Sequence, residues 1–314
     1  MTAVRLGLAG DTMLGRGVAA HLDTNPPESL FSAEVVAAAR RADLVVANLE
    51  CCVSERGAPW PDPRKPFFFR APPVALEALT LLGVDCVSLA NNHVLDFGYD
   101  ALLDTFEHLE TAGIRSVGAG RNLEEARRPV VLEANGFRVG VVAFSDHPRD
   151  FAATTDRPGI AFVDLRRESI PRWVVDAIRS TASEADAVLV TPHWGPNMTR
   201  EPVPEARAAA RALVDAGATL VAGHSAHVFH RVEGRVLYDL GDFLDDYAVD
   251  RDLRNDLGLL WLVCLAPEGP TRIDALPLKL DYCRTRVAVG DDEAWIRRRL
   301  RSIQNEGVRL LKDA

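Results

Sequence analysis

Apolar runs and amphipathic stretches alternate along the first two-thirds of the chain. VRLGLA from Val4, DLVVANL from Asp43, VDCVSLA from Val84, FRVGVVAF from Phe137, AVLVTPHW from Ala187 and TLVAGH from Thr219 are aliphatic or β-branched on both faces, the pattern of strands buried inside a sheet. Between them SAEVVAAARRA, PVALEALTLLG, ALLDTFEHLETAG, IPRWVVDAIRSTA and VPEARAAARALVDAG carry the apolar spacing of helices. Gly83, Gly113 and Gly217 stand where a left-handed cap would end three of these helices. The predicted fold is an α/β sandwich. Asn135-Gly136, between VVLEA and FRVGVVAF, and Glu233-Gly234, between HRV and RVLYDL, predict antiparallel hairpins, so the sheets should be mixed.

From Leu257 to Leu280 two further strands flank Pro267-Glu268-Gly269-Pro270. The closing stretch DEAWIRRRLRSIQNEGVRLLKD predicts an amphipathic helix that packs Trp295, Ile296, Leu300 and Ile303 on the body with its arginines solvated. The expected organisation is one domain over 1–314, with a motif core over 4–246 and C-terminal strands and helix over 257–314. The proline-rich segment from Cys51 to Pro73, with FFF at its centre, reads as a long loop that either overhangs a site or is a surface loop with a buried aromatic plug.

Composition narrows the function classes. Forty-seven per cent of the 314 residues are apolar, enough for a substantial core. With 45 acidic against 36 basic residues, the chain lacks the accumulated positive field of a general nucleic-acid or anionic-membrane binder. No run reaches the roughly 18 to 20 uncharged apolar residues of a membrane span. The first apolar run is broken by Arg5 and Asp11 and so lacks the core of a secretory signal. A cytoplasmic location is the expectation. Cys51, Cys52, Cys86, Cys264 and Cys283 form no C-x-x-C pair and are expected as free thiols, Cys51 and Cys52 lying next to Glu50 in the chain.

The polar residues that interrupt the apolar runs fall at strand ends, where open α/β sheets place their ligands. Asp11 ends the first strand, Glu50 the second; Asn91, Asn92 and His93 follow the third, His193 ends a later one, and His224 with His227 follow another. A single strand-end histidine is usually a hydrogen-bonded core residue. Several strands delivering carboxylate and imidazole together point instead to a metal such as zinc, manganese or iron(II). His147, in SDHPRD, also follows a strand and is a candidate ligand or acid/base group.

Taken together, GDTMLGR, NLE, LANNHVLDFG, HWG, AGHSAHV and LYDLGDF resemble, in order and spacing from about Val4 to Asp246, the bacterial capsule-synthesis proteins of the CapA/PgsA type. That family is associated with poly-γ-glutamate and belongs to the calcineurin-like metallophosphoesterase fold, a sandwich of mixed β-sheets flanked by helices. The resemblance implies two divalent metal ions (Mn, Zn or Fe), one held by Asp11, Glu50 and His227, the other by Glu50, Asn92, His193 and His224, with Glu50 as the bridge. It makes His93 the general acid or base, with Asp96 either accepting its other ring proton and raising its pKa, or capping the helix that begins near Tyr99. Arg16 and Asn91 would bind an anionic substrate group or an oxyanion, unless Arg16 simply pairs with a surface carboxylate. Asp242 would support the site rather than ligate. Two departures from the wider fold recur in the capsule-type branch: Met13 where a histidine is common, and Glu50 where aspartate is common.

The function implied is a dinuclear-metal hydrolase acting on a small anionic or peptide-like substrate, through a phosphoester or a γ-glutamyl amide. One alternative is a peptide epimerase that abstracts a Cα proton, using His93 with His147 or His230. Another is a non-catalytic accessory subunit of capsule polymer synthesis.

Overall fold

The computed structural model describes residues 3–167, 170–303 and 307–311. Two separate hydrogen-bonded sheets stack face to face. In the first, Val4–Thr12 runs antiparallel to Leu257–Ala266 on one side and parallel to Leu44–Leu49 on the other. The parallel run continues through Cys86–Ser88 to Arg115–Val117 at the edge. In the second, Phe137–Ser145, Ala187–His193, Leu220–Ala222 and Val236–Leu237 are parallel in that order. Antiparallel hairpins close both of its edges, Val130–Ala134 at one and Val232–Glu233 at the other. The Asn135-Gly136 turn has both residues at positive φ, 54° and 73°, as a two-residue hairpin loop of this twist requires.

The period of two along each strand sorts its side chains into layers. Leu6, Leu8, Val46, Val139, Val141 and Leu189 fill the space between the sheets. Ala9, Val45 and Ala47 face outward onto helices Ala33–Ala39 and Leu76–Leu82, and Val142, Phe144, Val188 and Val190 face outward onto Arg172–Ala182 and Pro204–Ala216. Helix, sheet, sheet and helix make the four layers. Gly83 and Gly217 end their helices at φ 75° and 116°.

The C-terminus departs from expectation. The closing helix spans Asp291–Ser302 only, and Val308–Leu310 is instead a strand parallel to Gly269–Asp281. An available ladder on Ile273–Ala275 overrides helical spacing there. Residues 304–306, 312 and 313 of the expected helix lie outside the described residues. Ile296, Leu300 and Ile303 are buried as predicted, and Trp295 packs partly buried beside them. Among the described residues no helix is long and apolar enough to cross a membrane.

The site is positioned by one irregularity. Between Ala9 and Asp11 the register of the first strand slips against Leu44–Leu49, so Gly10 is an extra residue, a β-bulge. The bulge lets Asp11 N–H donate to Gly241 O at 3.0 Å, and the short strand Asp242–Leu244 joins the tip of the first strand in parallel.

Candidate metal centre

The strand-end residues of the two sheets meet at one seam. From the first sheet come Asp11, Glu50 and, from the loop after Cys86–Ser88, Asn91, Asn92 and His93; from the second come His193 and the loop carrying His224 and His227. Ligand atoms of Asp11, Glu50 and His193 lie within 4.8 Å of one another, and so do those of Asp11, His227 and Asp242. Asp242, expected only to support the site, is thus close enough to ligate as well as to pair with His227 Nδ1 at 2.8 Å.

Several of the donor atoms are buried without partners. Asp11 Oδ2, Glu50 Oε1, Asn92 Oδ1, both nitrogens of His193, His224 Nδ1 and Asp242 Oδ2 are all shielded from water and make no hydrogen bond. Leaving one such group unpaired costs roughly 1–3 kcal/mol, and a cluster of them at one seam fits a cation that satisfies them together. Oxygen and imidazole donors suit the borderline divalent metals. The rest of each side chain is fixed by neighbours. Asn48 donates to Asp11 Oδ1 at 2.7 Å, and Thr191 Oγ1 holds His224 Nε2 at 2.8 Å, so that Nδ1 turns toward Asp11 at 3.4 Å.

The loop that carries His224 and His227 is strained and anchored. Ser225 and His227 adopt φ 112° and 61°, values that non-glycine residues rarely hold without outside support. Asp239 supplies part of that support, accepting from Ala226 N–H at 2.8 Å and Gly241 N–H at 2.9 Å. Ser225 Oγ donates to Gly195 O at 2.8 Å.

Buried negative charge is in excess. Burial, and next the charge of Asp11, holds Glu50 well above the usual carboxylate range; burial and Asp245 do the same for Asp242, and burial and Asp11 for Asp239. Asp245 is pushed up to about 6, burial being the largest cause. For Asp11 burial also opposes ionisation, but the neighbouring imidazoles, His224 first and then His193 and His227, outweigh it, and its carboxyl lies low. Burial holds His193 well below its usual value.

Asp245 yields a pH prediction for the metal-free protein. Because its folded pKa is raised, its protonated form stabilises the fold below about pH 4, and that contribution is lost as pH rises through about 6. Asp245→Asn removes the loss while still able to accept from Tyr247 N–H. In chelator, thermal melts of the variant should match wild type near pH 4 and exceed it at pH 7, by up to about 3 kcal/mol at roughly 1.4 kcal/mol per unit. A difference independent of pH would count against the assignment.

His93 and Asp96 meet as their spacing allows, Nδ1 to Oδ2 at 2.6 Å, with the ring stacked on Phe69 at 3.9 Å. Helix Gly98–Thr111 has Phe97 at its cap and no side-chain cap bond, so Asp96 does not cap it. The expected rise in the His93 pKa is overturned: burial outweighs the pull of Asp96, and Lys65 adds to the fall, leaving His93 at about 4. Lys65 was not anticipated. Its ammonium reaches Asn92 O at 2.7 Å and Asp96 Oδ1 at 2.9 Å, drawing the proline-rich loop over the site. That loop both overhangs and plugs: Phe69 is buried, while Trp60, Arg64 and Lys65 line a cavity of about 310 Å³ together with Asn92, His147 and Phe151.

Four other candidates take the following places. Asn91 is used up within its own loop, donating to Asn48 Oδ1 and Leu49 O and accepting from His93 and Val94 N–H, so it positions neighbours and offers nothing to a substrate. Arg16 is clamped by Asp246 through Nε at 3.2 Å and a second nitrogen at 3.1 Å, with Phe67, Phe69 and Tyr247 around it; its partner is a buried carboxylate rather than a substrate anion. His230 gives Nε2 to Thr199 O at 2.7 Å and does not line the cavity beside Asn92. His147 does line that cavity, its Nδ1 paired with Asp146 and its ring 5.2 Å from His193. Met13 is fully buried in the outer apolar cluster, Cys51 packs there too, and Cys52 Sγ donates to Phe69 O.

Asn48, Thr191, Lys65, Asp239 and Tyr247 escaped the sequence reading. For two of them a signal existed: Asn48 and Thr191 are polar residues in apolar strands exactly two before Glu50 and His193, and so on the same face.

The family described as "Bacterial capsule synthesis protein PGA_cap" matches residues 5–247. A "Probable polyglutamine synthesis accessory protein" of Mycobacterium tuberculosis (strain H37Rv) is 35% identical over 285 residues, covering 86% of this chain and 74% of that protein. The "Capsule biosynthesis protein CapA" of Bacillus anthracis is 29% identical over 279 residues, covering 87% of this chain and 66% of that protein. Among solved structures, one described as a novel phosphatase of Mycoplasma pneumoniae aligns with a TM-score of 0.50 at 13% identity, covering 90% of this chain and 95% of that one, a likeness of fold. With a family match over most of the chain and a relative 35% identical across it, the chain belongs to the bacterial capsule synthesis family of CapA type, associated with poly-γ-glutamate.

Proposed function

We propose that this protein is a metal-dependent hydrolase that binds two divalent ions (Mn, Zn or Fe) and cleaves a phosphoester or a γ-glutamyl amide in a small anionic or peptide-like substrate. The observation that carries the reading is the convergence of unpartnered, buried donor atoms from Asp11, Glu50, His193 and Asp242 on one seam, with His224 Nδ1 3.4 Å from Asp11. Asp11, Glu50 and His227, joined by Asp242, would hold one ion; Glu50, Asn92, His193 and His224 would hold the other. Ions bound there would supply Lewis acidity toward an ester or amide oxygen.

The chain's own groups have separable tasks. Asp96 accepts from His93 Nδ1 and leaves Nε2 as the unprotonated nitrogen, the one that would accept a proton as a general base. Lys65, paired with Asp96, and Arg64, paired with Asp62, form the polar part of the cavity wall beside Asn92. Trp60 and Phe151, packed edge to face at 5.0 Å, line the same cavity and limit its water. Epimerisation at a Cα is a second reading, favoured by His147, which lines that cavity and is paired with Asp146.

Metal analysis of wild type and His224→Ala, followed by turnover of phosphoesters, γ-glutamyl peptides and Cα-deuterated peptides, tests the proposal. About two ions per wild-type chain, their loss in the variant, and hydrolysis without deuterium exchange are expected. Unchanged metal content in His224→Ala would remove the basis of the site. Metal-loaded protein inert toward every substrate class would leave an accessory role.

A further inference from the structure

Tyr247 stands outside the proposed ligand set yet touches two of its members. Its hydroxyl donates to Glu50 Oε2 at 3.3 Å, and its ring meets the His227 imidazole edge-on with centroids 5.2 Å apart. Phe69 closes one side of the ring at 5.7 Å, the Arg16 guanidinium lies 5.9 Å from its centre, and the Tyr247 N–H is tied to Asp245 Oδ1 at 2.8 Å. The phenol is therefore held from several directions.

Glu50 has two oxygens in different circumstances. Oε2 takes the Tyr247 hydroxyl, while Oε1 is buried without a partner, and one oxygen of Glu50 lies within 4.8 Å of ligand atoms of Asp11 and His193. A glutamate has one more rotatable bond than an aspartate, and that freedom must be removed before its carboxylate can present one oxygen reliably. We infer that Tyr247 is a positioning residue of the metal centre: its hydroxyl fixes Glu50 Oε2 so that Oε1 faces Asp11 and His193. The inference rests on the proposed function and assigns to Tyr247 the part that outer hydrogen-bond partners play at metal sites generally.

The test compares wild type with Tyr247→Phe, which keeps the ring and removes only the hydroxyl. Both are stripped with chelator, shown to be folded by circular dichroism and thermal melting, and titrated with Mn(II) against a competing indicator. The variant should bind at least one Mn(II) about 10- to 100-fold more weakly. At a Mn(II) concentration that saturates wild type, it should also lose the electron paramagnetic resonance signature of a coupled pair, a change that ring packing alone would not produce. Equal dissociation constants in the folded variant would overturn this inference and leave the metal centre intact. Wild type that binds no Mn(II) would overturn the centre and the inference together. Should the Phe variant not fold, Tyr247→Met is judged by the same criteria.

Discussion

Glu50→Gln is expected to abolish two-metal binding and reduce turnover at least 1000-fold, while making the metal-free protein more stable than wild type. Its carboxylate is fully buried, has a single hydrogen bond from Tyr247, and faces the charges of Asp11 and Asp242. Without a cation that arrangement is unfavourable, and neutralising the group relieves it, on the order of 1–4 kcal/mol by analogy with other buried charges replaced by neutral groups. With metal present the same carboxylate becomes the shared anion that two dications need between them, so the sign reverses. A factor of 1000 corresponds to about 4 kcal/mol of lost transition-state stabilisation. The checks are thermal melts in chelator and in Mn(II), beside metal content and turnover. A metal-free Gln variant that melts below wild type would contradict the charge argument, and retention of two ions would contradict the role of Glu50.

Gly10→Ala should be the most damaging single methyl group in the chain. A Cβ at Gly10 would sit 1.7 Å from Gly241 O, the oxygen that accepts the Asp11 N–H, and 3.3 Å from the Leu240 side chain. Neither strand can yield cheaply, because Leu240 O also accepts from the fully buried Trp261 indole at 3.2 Å. A loss of about 4 kcal/mol or more is expected, since backbone rather than a flexible side chain must move. That corresponds to a fall in melting temperature on the order of 10 °C. Metal binding should fail as well, because the bulge aims Asp11. A variant melting within two or three degrees of wild type and loading metal normally would show that the first strand and the Gly241 turn are not locked together.

Much of this was legible because the ligands are chemical outliers. An aspartate, a glutamate and three histidines at the ends of apolar strands have no reason to be there in a packed core, and the strands themselves announce which edge they share. The segment YDLGDFLDDY was harder. By composition it is an acidic turn, and its meaning depends on Asp242–Leu244 pairing with a strand more than two hundred residues earlier, which no local pattern encodes. Lys65 is similar: its partners Asn92 and Asp96 lie far along the chain. The His93 pKa shows a different gap. Spacing revealed the Asp96 partner, but the direction of the shift is decided by burial under Phe69 and by Lys65, both set by tertiary packing. At the C-terminus, helical spacing continued past Ser302 while the chain instead found a strand to pair with.

The two sheets are separate hydrogen-bonded ladders joined across a greasy interface, and such an interface resists being pulled apart better than it resists sliding. Asp11, Glu50 and Asn92 belong to one layer and His193, His224 and His227 to the other. A cation gripped by both sets would act as a rivet through the laminate, locking the layers against shear at the edge where they meet a substrate. Metal loading would then set the mechanical stiffness of the whole sandwich, and a molecule tethered by its two sheets and stretched in shear would slip at markedly lower force once the rivet was drawn out.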